Sequence, residues 1–477
     1  MFLRWVGVSL LASLSVAFPP ILLKLRGSWI STTYFHSSST ADDGLAIFEL
    51  FGLTAAAALL ANLAWQLSRG GWKVTATRWF AICSALVAFN YLYLFSEYSS
   101  PSDDYRVYER GLQASLDGQD PYEVGFLYPP LTLDGFMVAY KLVYRIHSAI
   151  IGPPALDTVL QAVFYLYQSS QFGLLLLCFN LSFRFARAVR LPWRMALLLT
   201  TGLFLVNNPL YETIRWNQAN LLVLSCILVS LLIADSHPVL AGAALAFGIH
   251  IKLYPAALIF AFALSKRWTV LLSTFAWTIF FFLVSLLLGT SLTVWSVFAD
   301  FLRNSFIDLE GAARSYDLRV NNLGGLVHNL LSIFLDPGLP SSRPWFKLLG
   351  LISLAFTGTW FARRLWIRQR GYASVGRHQG LEKFHANAMD LLGASLVMSP
   401  LVWEHHYVFA VPIAIWATVC LRRRAPLPLA IGILLMLVVP TNEVFPLSYH
   451  RLAGLIVLMI GTRPSRAITP QPPSVIG

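Results

Sequence analysis

Residues 268–289 read Trp-Thr-Val-Leu-Leu-Ser-Thr-Phe-Ala-Trp-Thr-Ile-Phe-Phe-Phe-Leu-Val-Ser-Leu-Leu-Leu-Gly, directly after Lys266-Arg267. The stretch carries no charge, and a helix needs roughly 20 apolar residues to cross the hydrocarbon of a bilayer. It predicts a transmembrane helix whose basic flank lies in the cytoplasm, where Lys and Arg collect. Similar runs lie on both sides of it. They fall near 4–23, 44–67, 78–96, 128–147, 157–182, 192–206, 219–234 and 238–264 before it, and near 344–362, 385–400, 405–420, 426–440 and 447–461 after it. Together they predict an all-α polytopic membrane protein with about 12 to 14 transmembrane or half-spanning helices, several runs being too short for a full crossing.

Composition agrees. Of 477 residues, 57% are hydrophobic and 12% charged, against about 25% charged in a soluble domain. Mean hydropathy is +0.63. The net charge of +12 sits in short clusters such as Arg363, Arg364, Arg368, Arg370 and Arg377, or Arg422, Arg423 and Arg424. These read as cytoplasmic loop charges that set orientation, with no aromatic-interleaved basic surface, so no nucleic-acid partner is expected. Cys83, Cys178, Cys226 and Cys420 stand apart in or beside apolar runs and form neither a metal motif nor a disulfide pattern. The run from Val6 to Leu23 lacks a clear small-x-small cleavage site and reads as an uncleaved first helix. The Pro/Ser-rich tail 463–477 reads as disordered.

Basic loops at 68–78, 266–267, 363–384 and 422–424 are expected inside, which puts 97–127, 291–330 and 398–406 outside. The cluster Arg184, Arg187, Arg190 and Arg194 also votes for the inside, yet the crossings between 128 and 265 do not count out with that vote. Either one segment there is re-entrant or this cluster is extracytoplasmic. The chemically varied residues gather in the outer stretches, which suggests a site at the outer membrane face.

Five constellations can carry chemistry. Asp103-Asp104-Tyr105-Arg106-Val107-Tyr108 places paired aspartates just outside a helix end, where one could serve as a general base or both could solvate a loop. The same constellation continues through Gly118-Gln119-Asp120-Pro121-Tyr122 to Tyr128-Pro129-Pro130, which suits a first helical turn, where a missing N–H is harmless. In Arg215-Trp216-Asn217-Gln218-Ala219-Asn220 the amides could cap a helix or hold sugar hydroxyls. His250-Ile251-Lys252-Leu253-Tyr254-Pro255 sets a cation inside an apolar run, a costly placement that points to function. Pro255 would break the helix there and release backbone groups to line a cavity. Ser399-Pro400-Leu401-Val402-Trp403-Glu404-His405-His406-Tyr407 offers histidines as phosphate partners or proton carriers. Adjacent helical residues point about 100° apart, so metal ligation is not expected; interfacial anchoring is the structural alternative. Asn321-Asn322-Leu323-Gly324-Gly325 is a turn that could present its amides to a cavity.

Taken in order, these pieces resemble the polyprenol-phosphate-mannose-dependent mannosyltransferases of glycosyltransferase family 87, formerly a domain of unknown function. The matching elements are Asp104 to Tyr108, Gly118 to Tyr122, Tyr128 to Leu131, Asn217 to Asn220, Lys252 to Pro255, Asn321 to Leu323, and Ser399 to Tyr407. The resemblance covers roughly 78–440. The family more often has Gly-Gln where this chain has Asn217-Gln218, and Asp-His-His where it has Glu404-His405-His406; both changes keep polarity. The resemblance implies the GT-C membrane fold over 78–462, with additional N-terminal helices in 1–77. It implies an inverting single displacement on the extracytoplasmic face of the plasma membrane. Asp104 would be the base, with Asp103 as its adjacent alternative. Lys252, His405 and His406, with Arg215 behind them, would hold the donor phosphate. Tyr108, Tyr128, Asn217, Gln218, Asn220, Asn322 and Glu404 would face sugar or acceptor. Expected partners are membrane lipid, a polyprenyl-phosphate-hexose donor and a glycolipid or glycan acceptor, with no metal or other cofactor. The segments 128–147 and 385–420 would flank a groove for the polyprenyl chain. A transporter or flippase of polyprenyl-linked sugars is the alternative of another class, and it would need no base at a helix-to-loop boundary.

Overall fold

The computed structural model of the chain describes residues 76–97, 100–307, 320–336, 339, 341–371, 377–399, 402–440 and 445–462. The runs expected near 4–23 and 44–67, nearly all of segment 1–77 and the tail 463–477 lie outside the described residues. Among the described residues the regular structure is helical, in seventeen α-helices with one isolated bridge between Val320 and Trp403. Four helical stretches are long and apolar enough to cross a membrane: Leu156–Ala188, Trp268–Leu288, Arg343–Arg370 and Glu404–Leu421.

The chain runs back and forth between two ends. α1 (Ala76–Glu97) leads to the amphipathic α2 (Asp103–Leu116), which lies in the polar stretch read as a loop. α3 (Pro130–Ile150) and α4 (Leu156–Ala188) form a hairpin, followed by α5 (Trp193–Leu205), the short α6 (Asn208–Arg215) and α7 (Asn220–Ile233). α8 (Pro238–Ile251), α9 (Ala257–Leu264), α10 (Trp268–Leu288) and α11 (Leu292–Ile307) come next. After the segment outside the described residues come α12 (Leu323–Leu331), α13 (Arg343–Gly371) and α14 (Arg377–Met398). A tight 3₁₀ stretch (Glu404–Ala410) enters α15 (Val411–Leu421), and α16 (Pro426–Ile433) and α17 (His450–Gly461) complete the set.

One end is basic. Arg190 meets Glu382 at 3.2 Å, Arg267 pairs with Asp235 and covers the Phe384 ring at 3.9 Å, and Gln369 Nε2 donates to the Leu264 carbonyl at 3.3 Å. The cluster 184–194 therefore shares an end with 266–267 and 382–385, as its charge predicts. The run 128–147 forms one arm of a hairpin with α4. α3 starts beside the polar site, and its Phe136 lies level with Tyr167 of α4, ring centroids 5.6 Å apart. From Tyr167 to Phe185, which packs on His385, α4 rises about 27 Å toward the basic end. The α3–α4 turn thus projects away from that end.

One further reading is borne out and one corrected. First, the run 238–264 divides into two helices, as expected of Pro255. Lys252 takes extended backbone (φ −150°, ψ 145°) and Pro255 sits in a 3₁₀ turn, so α8 stops and α9 restarts. Proline has no N–H for the ladder and clashes with the preceding turn. Second, α13 runs past the expected end near 362 to Gly371, so Arg364 and Arg368 are helical and buried rather than loop charges. Both meet Asp390 of α14, Arg364 at 2.8 Å and Arg368 at 2.6 Å. The burial pattern also sorts the helices. α10 and α13 expose rows of large apolar side chains such as Leu272, Phe275, Leu351 and Phe356, as lipid-facing helices do. α7 and α15 are apolar on all sides and packed within the bundle.

Candidate active site

The site is assembled where broken helices meet. Ser102 caps α2: its Oγ accepts from the Tyr105 N–H at 3.2 Å and donates to the Trp216 carbonyl at 2.7 Å. Its own N–H donates to Asn217 Oδ1 at 3.1 Å. The start of α2 is thereby tied to the turn between α6 and α7. Asn217 holds that turn at φ +49°, a conformation Asn adopts more readily than most residues. Rotation of α2 is set by its aromatic face. Tyr105 packs edge-on against Phe164 at 4.7 Å, and Tyr108 stacks on Tyr128 at 4.5 Å and on Phe136 at 4.9 Å. Burial first, and the Glu109 carboxylate second, push the Tyr105 phenol well above its ordinary range, so it stays neutral. With that face inward, Asp104 lines the central cavity and Asp103 is exposed.

Gln218 bridges the two ionisable groups of the site. Its Nε2 donates to Asp104 Oδ2 at 2.7 Å, and its Oε1 accepts from Lys252 Nζ at 2.6 Å and from the Tyr128 hydroxyl at 3.2 Å. Lys252, 6% exposed, also donates to Asn220 Oδ1 at 2.8 Å and faces His406 Nε2 at 3.2 Å. The Tyr128 ring lies 5.2 Å from the same nitrogen. His406 is held on its other side by the Trp403 N–H, 2.9 Å from Nδ1. The 3₁₀ stretch is fastened to α6 and α7 through the His405 carbonyl, which accepts from Thr213 Oγ1 and Asn220 Nδ2. Asn322 caps α12 through the Gly325 N–H and donates to the Ser399 carbonyl at 2.8 Å.

These groups form the polar end of one cavity of about 680 Å³. The other end is apolar, walled by Phe260 of α9, Phe301 of α11, Phe346 and Leu354 of α13, and Leu391 and Met398 of α14. A groove between the segments 128–147 and 385–420 is half right. The second lines the cavity from Leu391 to His406, but the first supplies only Tyr128 and Pro129. α3 turns away from the cavity after its first turn, and the facing wall is α9, α11 and α13.

The structure brings Asp104, Tyr128, Gln218, Lys252, Asn322, His405 and His406 to the cavity wall, with Asn220 bonded to Lys252 just behind it. It does not bring Arg215, Asn217, Tyr108 or Glu404 to that wall. Arg215 lies over the Trp216 ring at 5.3 Å and near Glu212. The amide of Asn217 is spent on the turn, accepting from Ser102 and donating to the Ile214 carbonyl. Tyr108 backs Tyr128, and Glu404 is buried away from the lining. Sequence reasoning missed Tyr254, whose hydroxyl lies 3.4 Å from His406 Nδ1, and His328, which lines the cavity with its ring tilted against Phe346 at 4.6 Å. Asn322, Gly325 and His328 recur every third residue, the one signal that could have placed His328 on the face of Asn322. Among the described residues no group of three His, Cys, Asp or Glu side chains is gathered as a metal site would require.

The polar end can hold an anion against Lys252 and the histidines while a carboxylate waits across Gln218. The apolar end can take a lipid chain. Residues 126–379, more than half of the chain, match the family model described as glycosyltransferase family 87. The match includes Tyr128, Gln218, Asn220, Lys252 and Asn322; Asp104, His405 and His406 fall outside it. No curated protein and no solved structure matches the chain.

Proposed function

The chain belongs to glycosyltransferase family 87, and from that premise we propose that this membrane glycosyltransferase moves mannose from a polyprenyl-phosphate donor to a glycolipid or glycan acceptor outside the cytoplasm. The observation that carries the reading is the Asp104–Gln218–Lys252 chain, which sets a carboxylate and an amine on one cavity wall beside an apolar lobe.

In this reading the acceptor hydroxyl gives its proton to Asp104 as its oxygen attacks the anomeric carbon. The bond from that carbon to the phosphate oxygen breaks with its electron pair on the phosphate. Charge develops on that oxygen, and preorganised donors there lower the barrier; Lys252 and His406 are the donors in reach. Gln218 aims the Asp104 carboxylate at the cavity. Arg215, which stands outside the cavity wall, has no part in this scheme. The basic end of the bundle, with Arg190, Arg267 and Arg368, faces the cytoplasm by the positive-inside rule, so the cavity opens toward the opposite face of the plasma membrane.

The test is transfer of label from polyprenyl-phosphate-mannose into lipids and polymers by membranes carrying wild type or Asp104→Asn. Label that enters in wild type and is lost in the variant supports the reading, and the labelled product names the acceptor class. Equal incorporation by both removes Asp104 from the chemistry.

A further inference from the structure

The polar end of the cavity permits a count of donors and acceptors that locates its protons. His406 Nδ1 lies 2.9 Å from the Trp403 backbone N–H, a group that can only donate. Nδ1 is therefore an acceptor, the ring is neutral, and its proton is on Nε2. Nε2 faces Lys252 Nζ at 3.2 Å.

The other two partners of Lys252 are equally constrained. Asn220 Nδ2 lies 3.3 Å from the His405 carbonyl, so its Oδ1 is the atom turned to Lys252 at 2.8 Å. Gln218 Nε2 lies 2.7 Å from the Asp104 carboxylate, so its Oε1 faces Lys252 at 2.6 Å. Around Nζ there are thus two acceptors and one N–H donor. An ammonium has three N–H bonds and no lone pair, and it would press one N–H against the Nε2–H. A neutral amine fits the surroundings: two N–H bonds to the amide oxygens and a lone pair toward His406.

We propose that Lys252 rests as an uncharged amine and becomes an ammonium as the donor phosphate arrives, so that the donor and one proton bind together. The inference rests on the donor-site reading above and deepens it. The groups facing this pair are Asp104 on α2, held off by Gln218; Tyr128, with its ring 5.2 Å from Nζ; Tyr254, 3.4 Å from His406 Nδ1; and His405, its ring 4.4 Å from that of His406. None touches Nζ as an anion, the Asp104 carboxylate acting on it only across Gln218, and a charge without a direct counter-ion at membrane depth is costly. A phosphate oxygen changes the count by offering Nζ a third acceptor. It also accepts from His406 Nε2–H, which swings from the amine to the anion. The protons then balance over a turnover. One enters from solvent with the phosphodiester anion. The acceptor's proton goes to Asp104 and on to water. The leaving phosphate departs as a monoanion with the proton of Lys252, which returns to the neutral amine.

The experiment is calorimetric titration of the full-length protein in detergent with polyprenyl-phosphate-mannose, no acceptor present, in buffers of unlike ionisation heat. The phosphodiester does not titrate near neutrality, so any proton counted belongs to the protein. The expected result at about pH 8 is uptake of about one proton per donor, as an amine that is neutral before the phosphate arrives and charged after it requires. Lys252→Arg, which is always charged, binds with that uptake lost. Saturable binding with a heat independent of buffer overturns the neutral amine and leaves the donor site standing. Uptake that persists in Lys252→Arg assigns the proton to a histidine or carboxylate and also overturns it. Lys252→Met serves the same purpose where the arginine variant does not fold. Failure of wild type to bind the donor overturns the site reading and the inference with it.

Discussion

Two buried cation systems stand at opposite ends of the bundle, and they are built on opposite rules. At the basic end Arg364 and Arg368, 4% and 3% exposed, both clasp Asp390 directly, and Arg368 adds Asn387 Oδ1 at 3.0 Å. At the site end Lys252 is bonded to amide oxygens, and the nearest carboxylate is kept one side chain away by Gln218. A guanidinium cannot shed its proton, and these two buried arginines keep a carboxylate partner. A lysine can do without one, and its place is then open to a visiting anion. The first arrangement locks α13 to α14. The second leaves a position that ligand must complete.

Substitutions can break this comparison, and the largest effect is expected at the site end. Asp104→Asn should lower transfer by about 10³-fold, the middle of the range for a lost general base, with the unfolding transition unmoved. A variant that transfers at the wild-type rate would remove the contrast altogether. Next comes Asp390→Asn, which strands two guanidiniums and should destabilise the fold by about 3 kcal/mol or more. Thermal unfolding in detergent reads this, and the rate per folded molecule should be unchanged. Lys252→Ala should raise the KM for donor about 10- to 100-fold, the worth of a hydrogen bond to a charged group, while the unfolding transition stays close to wild type. The smallest effects belong to Arg215→Ala and Asp103→Asn, each within about 2-fold in rate, as for side chains away from the machinery. A silent Asp104→Asn beside an inactive Asp103→Asn would shift the base by one residue.

Much of this was legible in the chain. The uncharged run at 268–289 is α10, and the ordered motifs named the residues that meet at the cavity. What hydropathy could not see is where a helix stops. The run 238–264 is apolar throughout except at His250 and Lys252, and only the backbone change at Lys252–Pro255 divides it. Nor could it place the run 128–147, whose helix α3 carries Asp134, Lys141 and Arg145 and pairs with α4 as one arm of a hairpin. Among neighbouring polar residues, sequence does not say which faces inward. Asn217 and Gln218 look equivalent, yet the left-handed turn at Asn217 spends one amide on Ser102 and sends the other to Asp104 and Lys252. Arg364 and Arg368 were counted as loop charges because Asp390, their partner, is 22 residues beyond Arg368 in an apolar run.

The elbow at Lys252 also works as a depth gauge. α8 spans 14 residues from the basic end before the chain turns, a rise of about 21 Å. The hydrocarbon slab is about 30 Å thick, so with α8 starting at the cytoplasmic boundary, as the proposed orientation has it, Lys252 would lie about 9 Å short of the far surface. A lipid phosphate normally floats at that surface. In the proposed reading the donor phosphate would have to sink below the plane of its neighbours to meet the amine, shedding water as it goes, while its tail stays in the oil. Lipids whose headgroups are too bulky to descend that far would be turned away by depth alone, before any sugar is read.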